Sequence, residues 1–309
     1  MQTQLELTRK KSRLKRSLAT NAWGYFFISP WLIGFLWFML IPMIYSLYFS
    51  FTKYDLFTSP QWVGLDNYIK LIKDEKMITS FLVTFKFVFL SVPLRLIFAL
   101  FIAILLSKKH KGLGFYRTTF YMPSIVGGSI AVAIMWSRLF GHDGAVMSFM
   151  ESIGFPQENS LLGSPDSALN VLVLLSVWQY GSSMLTFLAG IKNIPDSYYE
   201  AAAIDGTNSF QRFFRITLPL LTPVIYSNLL MQLISGFITF TQALVITDGG
   251  PLNSTLLSAL YMYRHAFEYH NMGYASAMAW VLLVIISVFT FVVVKTSDKW
   301  VFYESGGKN

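Results

Sequence analysis

The sequence predicts an all-α integral membrane protein: six transmembrane helices, a helical loop between the fourth and fifth, and both termini on the cytoplasmic side. Three observations carry this expectation. Only 13% of the 309 residues are charged and 54% are hydrophobic, whereas about a quarter of a soluble domain is charged. Six apolar runs are each long enough to cross ~30 Å of hydrocarbon, which takes about 20 residues. Lysine and arginine gather on alternate sides of those runs, as the positive-inside rule requires.

The runs fall at 23–51, 78–106, 118–140, 168–190, 222–246 and 274–294. The first contains Pro30 and Pro42, which transmembrane helices tolerate. It is too long for a signal-peptide core and is expected to stay as a helix. Orientation follows from the loops. Arg9, Lys10, Lys11, Arg13, Lys15 and Arg16 precede the first run, Lys108, Lys109, Lys111 and Arg117 follow the second, and Lys192, Arg212 and Arg215 follow the fourth. Lys295, Lys299 and Lys308 lie in the tail, while the opposite side holds only Lys53, Lys70, Lys73, Lys76 and Arg264. The chain therefore divides into a basic cytoplasmic segment 1–22, a transmembrane domain 23–295 and a cytoplasmic tail 296–309. A net charge of +8 gathered at the edges of apolar runs points to an anionic leaflet, not to nucleic acid.

Much chemistry is excluded. There is no cysteine, so disulfides, thiol nucleophiles and Cys-ligated metals are out. No GxxxxGK[ST] phosphate loop and no GxSxG elbow is present, and no catalytic residue is assigned. His265, Glu268 and His270 lack the i,i+4 spacing of a helical metal pair, so no metal site is assigned either. Three charges fall inside runs. Arg138 and Lys86 lie near enough to span ends to snorkel, whereas Arg95, two residues after Pro93, is the better functional suspect. Structural pairing accounts for such charges more often than function does.

The stretch 195–219 is the most informative. Ser197 and Glu200 have the S-x-x-E spacing of a capping box, Glu200–Asp205 reads as a short helix, and Gly206 suits the positive-φ C′ position. Asn208 or Ser209 is expected to cap a second short helix through Arg215, with Pro219 ending it. Tyr198, Tyr199, Phe210, Phe213 and Phe214 are candidates for the exposed face. Composition is consistent both with docking to a partner and with packing beneath the span ends. Glu200, Ala201 and Ala202, Gly206 four positions on, and Ile216, Leu218 and Pro219 after nine more match EAA-x3-G-x9-I-x-LP. The chain thereby resembles the inner-membrane permease subunits of binding-protein-dependent ABC importers. Pro30–Gly34, Val63–Tyr68 and Asp248–Pro251 resemble the carbohydrate branch, of MalF type. The resemblance implies that 195–219 forms coupling helices seated on a separate ATPase. It also implies a second homologous permease, two ATP-binding subunits that bind MgATP, and an extracellular solute-binding protein. No cofactor is expected on this chain.

In the fifth run Asn228, Gln232, Ser235, Thr239 and Gln242 recur at steps of 4, 3, 4 and 3, a single helix seam about 21 Å long. Such a stripe must face another helix or a wet cavity; interhelical bonding and a sugar-binding wall both satisfy it. Lacking formal charge, the seam favours a neutral cargo. The resemblance places the sugar path at Tyr180, Ser183, Gln232, Ser235, Gly236 and Thr239, with an oligosaccharide as substrate. Trp178 is assigned to packing. Two other classes compete: an ion-coupled secondary transporter, against which the absence of Asp and Glu from all six runs counts, and a membrane-embedded enzyme, for which no constellation exists.

Overall fold

The computed structural model describes residues 24–108, 111–154 and 160–302. The basic segment 1–22, Lys109 and Lys308 lie outside the described residues. What is described is overwhelmingly helical. Helix α1 is Gly24–Ser50, followed by a two-stranded antiparallel hairpin, Thr52–Lys53 with Gln61–Trp62. Next come α2 (Asp66–Lys73) and α3 (Glu75–Ser107). After these follow α4 (Leu113–Val126), α5 (Ile130–Phe140), α6 (Ala145–Ser152), α7 (Pro165–Trp178) and α8 (Gly181–Lys192). The chain continues with α9 (Asp196–Ile204), α10 (Ser209–Phe237), α11 (Thr241–Ile246), α12 (Ser258–Tyr263) and α13 (Met272–Ser297).

Four helices, α1, α3, α10 and α13, are each long and apolar enough to cross a membrane, and there are six spans if each bent pair counts as one. This corrects three expected spans. The run 118–140 is broken at Gly127–Ser129 and bends by 94° there. The run 168–190 is broken at Gln179–Tyr180 with a 42° bend. The run 222–246 breaks after Phe237, where Gly236 and the β-branched Ile238 and Thr239 lower helix propensity. In the first break Ser129 caps α5 by accepting from the Val132 N–H, and in the second Gln179 closes α7.

Two prolines are absorbed the same way. Pro42 and Pro219 each sit two residues past a five-residue π-turn, Leu36–Leu40 and Phe213–Thr217. In each, the residue before the proline bonds five back, Ile41 to Leu36 and Leu218 to Phe213. The widened turn takes up the ring and the missing N–H, which would otherwise break the helix. Pro219 therefore does not end a helix, contrary to expectation; α10 runs unbroken from Ser209 through it.

Helix α3 is the axis of the molecule, packed on α7, α8, α10 and α12. Its buried face includes Phe87, Val88, Val92 and Ala99, which meet Leu175, Met184, Phe187 and Phe237. The outward faces stay apolar: Phe101 on α3 and Phe291 on α13 are exposed, as lipid-facing residues must be. Helix α1 packs chiefly on α13. Below it Asn67 donates to the carbonyls of Ser50 and Thr52, both at 2.9 Å, which fixes the α1–α2 turn. At the start of α3, Asp74 accepts from the Lys76 and Met77 N–H groups and from the hydroxyls of Tyr261 and Tyr274. One carboxylate thus ties three helices.

Candidate functional site

Two regions collect the functional suspects. In the first, the loop of α9 and the start of α10, the helix begins earlier than the spacing predicts. Pro195 occupies the N-cap with φ −59° and ψ 135°, and no side chain caps α9. Ser197 is thus already inside the helix, and the expected Ser197–Glu200 capping box does not form. Gly206 does adopt the left-handed conformation, at φ +70°, and Asn208 does cap the next helix, in a reciprocal box with Gln211. Arg212 closes the turn by donating Nε and Nη2 to the Thr207 carbonyl.

The aromatics divide. Tyr198, Phe210 and Phe214 are exposed, while Tyr199 turns inward to share a 2.9 Å hydrogen bond with the Thr217 hydroxyl and Phe213 is half-buried. Ile204, overlooked in the sequence, stands 88% exposed at the tip of α9; an apolar residue two before Gly206 was the available signal. Glu200 and Ala201 are exposed, Ala202 is buried beneath them, and Ile216, Leu218 and Pro219 are half-buried where the loop joins the span. Between this loop and the ends of α3, α4 and α8 lies a cleft of about 570 Å³ bearing Lys108, Arg117, Lys192 and Arg212. Among the described residues none of the four has an acidic partner within 4.0 Å.

The second region lies among the spans. Gln232 on α10 donates to the Ser183 hydroxyl on α8 at 3.0 Å, so part of the seam does bond across helices. Asn228 is buried and donates to its own helix at Val224. Ser235 is exposed. Gly236 faces α3, where a Cβ would lie 3.2 Å from Val88, so it does not line a wall with Ser235. Tyr180 is buried with its ring edge-on to Phe98 at 4.8 Å. Thr239 and Gln242 lie beyond the helix break and line a small cavity with Ser176, Gln179 and Arg95. The six expected path residues therefore do not form one surface. Trp178 packs on Trp136, ring centroids 6.0 Å apart.

Gln179 is the hub that the sequence reading missed; an amide in the middle of an apolar run was its signal. Its carbonyl accepts from Arg95 Nε and Nη2 and from the Ser124 hydroxyl. Its side-chain amide donates to the Gly127 carbonyl. One residue thus joins both broken spans and α3. Close approach makes this possible: a Cβ on Gly181 would lie 2.8 Å from the Tyr121 Cα and 2.9 Å from the Phe120 carbonyl. Of the remaining charges, Lys86 and Arg138 are exposed, consistent with snorkelling. His265 sits among the rings of Tyr261, Tyr269 and Tyr274, and His270 sits against Phe57. Among the described residues no group of three His, Asp or Glu could hold a metal.

Polytopic and helical, with polar groups turned inward and an apolar-tipped knob between spans, the molecule has the build of a membrane transport subunit. Residues 18–303 match the model of the binding-protein-dependent transport system inner membrane component family, and the chain belongs to that family. It is 57% identical over 299 residues, 96% of each chain, to the probable ABC transporter permease protein YesP of Bacillus subtilis (strain 168). It is 31% identical over 287 residues to the multiple sugar-binding transport system permease protein MsmF of Streptococcus mutans, covering 92% of this chain and 98% of that one. Its fold superposes with a TM-score of 0.79 on a chain of the bacterial alginate ABC transporter crystallised with alginate pentasaccharide-bound periplasmic protein; identity is 22%, over 93% of this chain and 98% of that one. The family assignment makes it a multi-pass protein of the cytoplasmic membrane.

Proposed function

We propose that this chain is a permease subunit of an ATP-driven importer of oligosaccharides. It would span the membrane six times with both termini cytoplasmic, and work with a second permease, two ATP-binding subunits and an extracellular solute-binding protein. The basic loops support a cytoplasmic side for 195–219, which lies beside the cationic cleft. The observation that carries the reading is the knob itself: Tyr198 and Ile204 on α9 and Phe210 and Phe214 on the capped start of α10 are all exposed. Apolar side chains held out on a rigid polar loop mark a protein contact. Glu200 and Gly206 contribute a rim charge and the turn; Ala201, Ala202, Ile216, Leu218 and Pro219 shape the knob and its junction with the span. MgATP is bound on the partners, since this chain has no phosphate-binding loop.

Coupling then follows from the continuity of α10. Its 29 residues make a rod of about 43 Å that begins in the knob and carries Gln232 and Ser235 into the membrane. When ATP closes the partner subunits, movement of the knob reaches the polar region through this rod, and the broken spans hinged at Gln179 change which side it faces. Tyr180, Ser183, Gln232, Ser235, Gly236 and Thr239 remain the proposed sugar path; the relatives' sugar-transport names support a carbohydrate cargo. The test is ATP-driven uptake by the reconstituted complex. Deleting 200–218 should abolish both assembly with the ATPase and uptake; uptake that survives the deletion refutes the reading.

A further inference from the structure

We propose that the cationic cleft beside the knob binds the phosphodiester headgroup of an anionic phospholipid, phosphatidylglycerol or cardiolipin, from the cytoplasmic leaflet. The proposal rests on the membrane orientation of the importer reading and not on its cargo. Three of the four cations come from helix ends. Lys108 follows the last residue of α3, Lys192 is the last residue of α8, and Arg117 stands in the second turn of α4. In the sequence each lies within two residues of the end of an apolar run, a rise of about 3 Å. The headgroup layer is about 5–8 Å deep on each side of the hydrocarbon, so all three sit at the depth of lipid phosphates. Arg212 reaches the cleft from the knob, with Nε and Nη2 given to the Thr207 carbonyl.

Orientation in the membrane accounts for basic residues on this side of the chain. It does not account for their convergence on one cavity. Cations that only snorkel keep their heads in water, whereas here four line a single space of about 570 Å³, a size suited to a small ligand. The one carboxylate in the lining, Asp196, is within 4.0 Å of none of them. Arg117 supplies a second observation: its Nε is sealed from water and donates to nothing, which is costly for a buried donor. Like charges around a cavity without a counter-charge repel, and a bound anion removes both penalties. The rest of the wall selects the source of that anion. Ile104, Leu113, Ile191 and Phe213 share the lining with the cations. A free phosphate gains nothing from such side chains, while a phospholipid presents glycerol and acyl carbons directly beside its phosphate. Basic pockets between spans on the cytoplasmic side hold headgroups of this kind, and the guanidinium fork matches two phosphate oxygens. Occupancy would brace the knob, since Arg212 and Tyr199 both line the cleft and bond to Thr207 and Thr217.

The experiment uses the complete transporter, delipidated in detergent, with bound lipid counted by native mass spectrometry. The probes are phosphatidylglycerol, cardiolipin, phosphatidylcholine, inorganic phosphate and glycerophosphoglycerol, which is phosphatidylglycerol without its acyl chains. The wild type should hold at least one of the two anionic lipids about tenfold more tightly than phosphatidylcholine. Lys108→Gln combined with Lys192→Gln should weaken that binding about tenfold or more, and Arg117→Gln about fivefold or more. Lys70→Gln combined with Lys73→Gln, an equal loss of charge on α2, should leave it unchanged. Equal weakening by the two lysine pairs, or no preference for the anionic lipids, would overturn the proposal. Phosphate or glycerophosphoglycerol competing as well as the lipids would assign the cleft to a soluble anion and overturn it too. Lipid binding that appears only once the ATP-binding subunits are stripped away would do the same, making the cleft a subunit interface. Lys192→Cys, the only thiol in the chain, reports orientation in intact cells. Its labelling from outside by a membrane-impermeant maleimide would overturn the importer reading; blocked labelling with no lipid selectivity would overturn this proposal alone.

Discussion

Replacing Asp74 with alanine should destabilise the fold by several kcal/mol. The carboxylate accepts four hydrogen bonds: from the Tyr261 and Tyr274 hydroxyls, each at 2.8 Å, and from the Lys76 and Met77 N–H groups at 3.0 and 3.2 Å. Losing the N-cap costs about 1 kcal/mol. Each hydroxyl bond to a charged acceptor contributes roughly 1.5–3 kcal/mol, and both tyrosines, which are buried, would lose their acceptor. Allowing for non-additivity, the total is about 3–5 kcal/mol, a fall in Tm on the order of 10 °C. The assay is thermal unfolding of the detergent-solubilised transporter followed by intrinsic fluorescence. Asp74→Asn, which keeps an acceptor and loses the charge, should fall between. Burial pushes the Asp74 carboxyl up, but the Tyr261 and Tyr274 bonds and the two amides outweigh it and hold it below its ordinary value. Its contribution is therefore complete above about pH 3.9 and is lost as pH drops through the lower folded value. A Tm for Asp74→Ala within 1 °C of wild type would refute the reasoning.

Gly206→Val should cost about 1–2 kcal/mol through φ strain alone, because nothing lies within 4 Å of its Cβ position; it should also reduce ATP-driven uptake several-fold, measured in proteoliposomes. Gly181→Leu forces backbone apart at Tyr121 and should lower Tm by more than about 5 °C, or prevent assembly. A double-mutant cycle on Gln232 and Ser183 should return about 0.6 kcal/mol. His265 is held below its ordinary value chiefly by burial, opposed by Asp74 and aided by Lys76. Its folded pKa is depressed, so stability should decline as pH falls below about 6.5, and His265→Phe should flatten thermal-melt profiles between pH 5 and 6.5.

Run length and flanking charge located α1, α3 and α13 within a few residues, because a 30 Å apolar slab imposes both. The breaks were hidden for a physical reason. Gly127 and Gln179 sit in apolar sequence, and the groups that satisfy their freed carbonyls, the Gln179 amide for Gly127 and Ser124 and Arg95 for Gln179, come from other helices. Pro219 misled because the π-turn ending two residues upstream is invisible to propensity. Ser197 misled because Pro195 had already begun the helix. The seam spacing singled out Gln232, which bonds to Ser183, and Thr239, which lines the small cavity, but it treated as one helix what is two, so the register beyond Phe237 did not follow.

The account stands on contact between the 196–212 knob and a separate ATP-binding subunit. With no cysteine in the chain, Ile204→Cys provides a single defined thiol at its tip. In the assembled transporter, a short thiol-to-amine crosslinker at this position should yield one adduct, with the ATP-binding subunit, and the thiol should be shielded from a soluble maleimide. A thiol that labels fully in the assembled complex and crosslinks to nothing would contradict the account.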